Sequence, residues 1–155
     1  MGRRFDLLVF DWDGTLMDST GVIVAALQAA CRELGLPVPT DSSAEYIIGL
    51  GLNDAMAHVL PGIDPGEYPR VVERYGHHFR LREPDALLFP GVEATLLSLR
   101  KSSHLLAIAT GKSRRGLDRV LEKTGLQSVF HATRCGEESA SKPHPGMLNE
   151  LIEML

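Results

Sequence analysis

Two aspartates one residue apart, Asp11 and Asp13, stand where an apolar run stops, in the stretch VFDWDGTLMDS from Val9 to Ser19. Carboxylates that close repel each other, and neither is buried cheaply without a cation or a shared proton. A lone aspartate at a strand end is an ordinary turn former. A pair followed at once by Gly-Thr points instead to chemistry. Gly14 allows a tight turn whose N–H groups face an anion. Two further places have polar chemistry: Thr110 closes the apolar run LLAIA, and a polar segment follows Thr133 beyond a third apolar run. In open α/β sheets ligands bind past the carboxyl ends of the strands, where all three places fall.

The elements that must position these groups follow from patterning. Phe5 to Phe10 is apolar apart from Asp6, as expected of a strand covered on both faces. From Leu16 to Pro84 no strand-like alternation occurs, and helix signals recur. Ser19 or Thr20 can cap a helix through Leu34, Ser42 with Glu45 resembles a capping box, Asn53 can cap a short helix that Pro61-Gly62 ends, and Pro69 fits a first helical turn. After Pro84 the rhythm is helix from Pro90-Gly91 to Lys101, strand His104–Thr110, helix from Ser113 to Gly125, strand Val129–Thr133, and a helix opened by Pro145. Alternation of this kind predicts βαβ units and a parallel sheet. The expected fold is therefore α/β, a Rossmann-like parallel core of residues 1–15 and 85–155 with an all-helical insertion at 16–84. There is no internal repeat and no low-complexity tract.

Composition narrows the function classes. At 155 residues and 44% hydrophobic the chain can bury a core, and a net charge of -4 argues against nucleic acid as a partner. Cys31 and Cys135 are expected as reduced thiols in a cytoplasmic protein. Arg3 and Arg4 begin like a signal peptide, but Asp6 and Asp11 interrupt the apolar stretch, and no segment is long enough to span a membrane.

The strand plus DWDGTLMDS resembles the first motif of the haloacid dehalogenase-like hydrolase superfamily; LLAIATGK resembles its second and SKPHP its third. The resemblance implies a phosphatase acting on a small phosphorylated metabolite, closest to the phosphoglycolate phosphatase-like group, with a phosphosugar mutase or an inactive fragment as alternatives. It implies that Asp11 attacks phosphorus and that Asp13 protonates the leaving oxygen and later deprotonates water. Dehalogenases lack an acid at the position of Asp13, since a departing halide needs no proton. Mg2+ would be ligated by Asp11 and by the main-chain carbonyl of Asp13. The Thr110 hydroxyl, the Lys142 ammonium and the N–H groups of Gly14, Thr15 and Gly111 would hold the phosphoryl. The insertion corresponds to a helical cap, with IIGLGL, Ile47 to Leu52, resembling a glycine-containing cap turn or else plain helix-end punctuation.

Other features read as structural. Gly111-Lys112-Ser113 imitates a P-loop, but the glycine required five residues earlier is Leu106, so the phosphate cradle cannot form. Lys112, Arg114 and Arg115 then read as a solvated helix start. Adjacent His77 and His78 face different ways and lack a metal partner, His144 reads as a loop residue, and Trp12 as a packing residue. After Lys142 the only acids are Glu150 and Glu153, both in the closing helix and unable to replace the acidic fourth motif of the family. The expectation is a chain lacking the C-terminal core strands, with weak magnesium binding, little or no phosphatase activity alone and self-association through an exposed strand one.

Overall fold

The computed structural model describes residues 5–155, so Arg3 and Arg4 lie outside it. In chain order these residues form β1 (Leu7–Phe10), β2 (Met17–Asp18), α1 (Thr20–Leu34), α2 (Asp41–Tyr46), α3 (Leu52–Val59), α4 (Tyr68–Arg82), β3 (Leu87–Leu88), α5 (Val92–Lys101), β4 (Leu105–Ala109), α6 (Arg114–Thr124), β5 (Ala132–Arg134) and α7 (Gly146–Met154). The main sheet has the order β1-β4-β5 and is parallel throughout, with Val9 opposite Ala107 and Ala107 opposite Ala132. No helix among the described residues is long and apolar enough to cross a membrane.

β4 is central, and its sequence shows why. Leu106 and Ile108 point to one face, against Trp12, Leu117, Val120 and Phe130. Ala107 and Ala109 point to the other, where Met147 and Leu151 of α7 press down on small side chains. Period-two alternation is hidden because both faces are buried. The helical segment has a core of its own around Leu27, Cys31, Met56, Leu60 and Val71, with α1 packed along α4.

Several boundaries differ from the sequence expectation, each for a local reason. α2 is capped by Thr40, whose hydroxyl accepts the Ser43 N–H at 3.3 Å, so Ser42 and Glu45 form no capping box. α3 begins after Gly51 rather than at Asn53, because the Gly51 carbonyl takes the Ala55 N–H. The third strand is shifted to Ala132–Arg134; Val129 closes a turn on Leu126 and, with Phe130, is drawn into the core before pairing begins. Two short strands were not legible at all. β2 and β3 pair antiparallel, Met17 with Leu88 and Asp18 with Leu87, and so tie the entry and exit of the helical segment together.

Leu117 is fully buried between α6 and the sheet. Leu117→Ala is expected to lower unfolding free energy in urea by about 2–5 kcal/mol. A loss within about 0.5 kcal/mol, the range of a surface substitution, would show that this face is not the core.

Candidate active site

Asp11 leaves the end of β1 and is immediately held. Its Oδ1 accepts the Trp12 N–H at 2.7 Å and lies 3.1 Å from Lys142 Nζ. The chain then turns about one carbonyl: the N–H groups of Thr15, Leu16 and Met17 all reach Trp12 O, at 3.2, 3.0 and 3.1 Å. Gly14 makes this turn with φ at 75° and donates its N–H to Met17 O. The amides of Gly14 and Thr15 are therefore committed to the turn, which corrects the expectation that they face a bound phosphoryl. Asp13 is held as firmly as Asp11. Ser19 Oγ donates to its Oδ1 at 2.8 Å, and Lys112 Nζ reaches both its oxygens at 3.2 and 3.1 Å.

Ser19 precedes α1 but makes no side-chain cap bond there; its buried hydroxyl is spent on Asp13. The reading of Lys112 as solvated is overturned more completely. Its side chain is 9% exposed, paired with Asp13, and covered by the Phe79 ring of α4 at 4.7 Å. Gly-Lys-Ser carries the signal, since a lysine just past the end of β4 lies beside the end of β1, where Asp13 stands.

Thr110 is buried at the end of β4, and its Oγ1 accepts the Lys112 N–H at 3.2 Å. Next to it, Gly111 is pressed by the helical layer: a Cβ there would stand 3.0 Å from Gly49 O and 3.1 Å from Leu50 O. Gly49 itself has φ at 92° and faces Asp11 Oδ2. The glycine turn of IIGLGL thus roofs the first aspartate. Asp11, Asp13, Thr110, Gly111 and Lys112 form the core side of a pocket of ≈ 150 Å³, with Gly49 and Tyr75 among the residues opposite. Desolvation, then the charges of Asp13 and Glu83, push the Tyr75 phenol up, so it stays neutral there.

Lys142 arrives on a braced loop. Arg114, far from being a solvated charge, clamps Glu138 through Nε and Nη2, both at 2.7 Å, and Glu138 also accepts the Cys135 N–H. Glu150 of α7 takes Arg134 at 2.6 Å and the Ser139 hydroxyl at 2.6 Å, so its carboxylate holds the loop instead of a metal. Burial raises the Cys135 thiol to about 11, against an opposing pull from Arg114, so Cys135 stays an inert thiol.

The donor set suits a small hard cation. The Asp11 carboxylate is one oxygen ligand. The turn uses the Trp12 and Met17 carbonyls and leaves that of Asp13 outside its bonds. Among the described residues no group of three or more His, Cys, Asp or Glu joins them. One or two protein oxygens, completed by water and substrate, is how Mg2+ is usually held.

Known proteins resemble this chain along most of its length. The profile of the haloacid dehalogenase-like hydrolases matches residues 8–155. The chain is 34% identical to the "Probable phosphatase IndB" of Dickeya dadantii, over 91% of this chain and 64% of that protein. It is 30% identical to a phosphoglycolate phosphatase of Vibrio cholerae, over 97% of this chain and 71% of the relative. It thus spans about two thirds of the length of these relatives. A hydrolase from Pseudomonas syringae superposes with a TM-score of 0.86 at 20% identity, covering 97% of this chain and 70% of the other.

Glu138 yields a pH prediction. The Arg114 hydrogen bonds hold its carboxyl below the usual glutamate range. Its contribution is complete above the ordinary glutamate pKa and is lost as pH falls through the lower folded value. Glu138→Gln should therefore flatten the acid limb of the thermal-stability profile while leaving the curvature above neutrality unchanged. An acid limb identical to the parent's would take Glu138 out of the loop's support.

Proposed function

Because this chain belongs to the haloacid dehalogenase-like hydrolase family, we propose that it is a phosphatase that cleaves a small phosphate monoester through a phosphorylated Asp11. The observation that carries this reading is that Asp11 and Asp13 share one pocket, each with a lysine of its own. Such hydrolysis is among the slowest uncatalysed reactions, so splitting it into two displacements lowers a barrier otherwise out of reach.

Lys142 and the Trp12 N–H occupy Asp11 Oδ1. Oδ2, facing the pocket beneath Gly49, is then the attacking oxygen. It forms a bond to phosphorus as the ester P–O bond breaks. Asp13 gives its proton to the departing oxygen. In the second displacement Asp13 takes a proton from water, whose oxygen attacks the Asp11 phosphoryl, and the carboxylate leaves with its electron pair. The Gly111 N–H, the Thr110 hydroxyl and the Lys142 ammonium hold the phosphoryl oxygens. Mg2+ held by the Asp11 carboxylate and the Asp13 carbonyl would neutralise charge on the transferring group. Residues 16–84 act as the cap, closing over the pocket and excluding bulk water.

Phosphoglycolate phosphatases among the relatives make 2-phosphoglycolate the first substrate to assay. β1 lies at one edge of the sheet among the described residues, so the chain associates with itself through that edge. A sedimentation profile independent of concentration would refute the association.

Asp11→Asn should abolish phosphate release with the circular dichroism spectrum unchanged, since an amide cannot serve as the nucleophile. Asp13→Asn should cost on the order of 10²–10⁴-fold with alkyl phosphates and far less with p-nitrophenyl phosphate, whose leaving group needs little protonation. Equal losses with both esters would remove Asp13 from proton transfer, and turnover by Asp11→Asn would remove Asp11 as nucleophile.

A further inference from the structure

We infer that the group leaving with the ester oxygen is small, uncharged and largely aliphatic, and that the wall selecting it is the apolar underside of residues 16–84. The inference rests on the phosphatase reading above, which puts the phosphoryl on Asp11, and it sets the substrate of this chain apart from an acid such as phosphoglycolate.

The pocket over Asp11 has two unlike halves. The core half carries Asp11, Asp13, Thr110, Gly111 and Lys112, the groups that meet a phosphoryl. The other half comes from the helical segment, and apart from Gly49 and Tyr75 its lining side chains are aliphatic or Met. Ile23, Leu27, Ile47, Ala55 and Met56 are each between 1% and 8% exposed, and the last four belong to the apolar core of that segment. The pocket is therefore a void in an apolar core that opens onto two aspartates. An apolar cavity of roughly this size takes up a benzene-sized molecule.

The charges lead to the same chemistry. Among the described residues Lys112 is the cation lining this pocket, and its Nζ is held by both Asp13 oxygens at 3.2 and 3.1 Å. Lys142 lies 3.1 Å from Asp11 Oδ1. Arg80, Arg115 and Arg119 line a separate outer cleft between α4 and α6, and Arg119 is paired there with Glu83. A carboxylate on the leaving group would be buried among Leu27, Ile47 and Met56 with no cation of its own, which is costly.

Tyr75 is the polar side chain that the helical segment adds to this wall. Its ring centroid lies 5.9 Å from that of Phe79. Burial, with the charges of Asp13 and Glu83, keeps its phenol neutral, so it offers a hydrogen bond and no countercharge. An ether or hydroxyl oxygen on an aliphatic leaving group suits such a donor. An ionised group does not.

The test compares 2-phosphoglycolate with isobutyl phosphate, its uncharged isostere, in which two methyl groups replace the carboxylate oxygens. Binding to the full chain is measured calorimetrically with Mg2+ present, alongside phosphate release. The chain should bind isobutyl phosphate more tightly, on the order of tenfold or more. From methyl to ethyl to n-propyl phosphate, affinity should rise about fourfold per methylene. Met56→Lys, which puts an ammonium on the wall, should reverse the preference toward 2-phosphoglycolate. Should Met56→Lys fail to fold, Ala55→Leu carries the comparison: it fills part of the void and should flatten the alkyl series without making 2-phosphoglycolate the better ligand. The inference is overturned by 2-phosphoglycolate bound as tightly as its isostere, by a flat alkyl series in the parent, by variants that leave these patterns unchanged, or by binding of none of the esters. The expected preference without phosphate release from any ester would instead overturn the phosphatase reading and leave the chemistry of the pocket standing.

Discussion

Two like charges at one strand end each need a cation, and the architecture is arranged to deliver one to each. Lys112 follows β4 and Lys142 follows β5, and because both strands run parallel to β1 their carboxyl ends open on the side where Asp11 and Asp13 stand. Lys112 reaches Asp13 from the neighbouring strand. Lys142 must return from the far side of β4, which is why its loop is braced by Arg114–Glu138 and by Glu150 with Arg134 and Ser139. Removing either lysine would leave a part-buried carboxylate uncompensated, an expensive state.

The helical layer meets the core mainly through main chain. Gly111 lies against the carbonyls of Gly49 and Leu50 and Gly51 against the Ser141 side chain, while within the core Gly136 lies against the Gly111 carbonyl. Backbone approach this close leaves a Cβ on Gly111 at 3.0 and 3.1 Å from those carbonyls, so Gly111 sets the height of the roof over Asp11. Side chains cross the interface as well: Ser19, at the threshold of α1, and Phe79 on α4 are directed at the Asp13–Lys112 pair, and Glu83 pairs with Arg119. The layer and the second aspartate are thereby coupled without a single apolar core spanning them.

Much of this was legible from residue types. Strand β1, the helices, the parallel sheet and the strand-end placing of Asp11 and Thr110 follow from periodicity and from the rule that strand ends make sites, whereas Lys142 stands out only through the resemblance of SKPHP to a family motif. What escaped has a common physical cause. Lys112 and Arg114 are charged residues whose partners lie far away in sequence, and short-range patterning assigns such residues to solvent; Glu83 offers no local signal for the same reason. Glu83 is buried because Arg119, across the interface, takes it at 2.7 and 3.1 Å. Gly14 and Thr15 were misjudged for the opposite reason: a local turn consumed donors that looked available to a distant ligand.

The ribbon of β2 and β3 has one more consequence. Met17 and Asp18 pair with Leu88 and Leu87, and the Phe89 N–H reaches Leu16 O, so the segment between them leaves and re-enters at adjacent points of the core. To the parallel sheet, everything from Thr20 to Ala86 is a hairpin loop of negligible span. A loop closed at its base can be lengthened, shortened or exchanged for another at little conformational cost to the core. The two-residue ribbon is thus a splice junction, across which Asp11 and its strand can be kept while the helical layer above them is replaced.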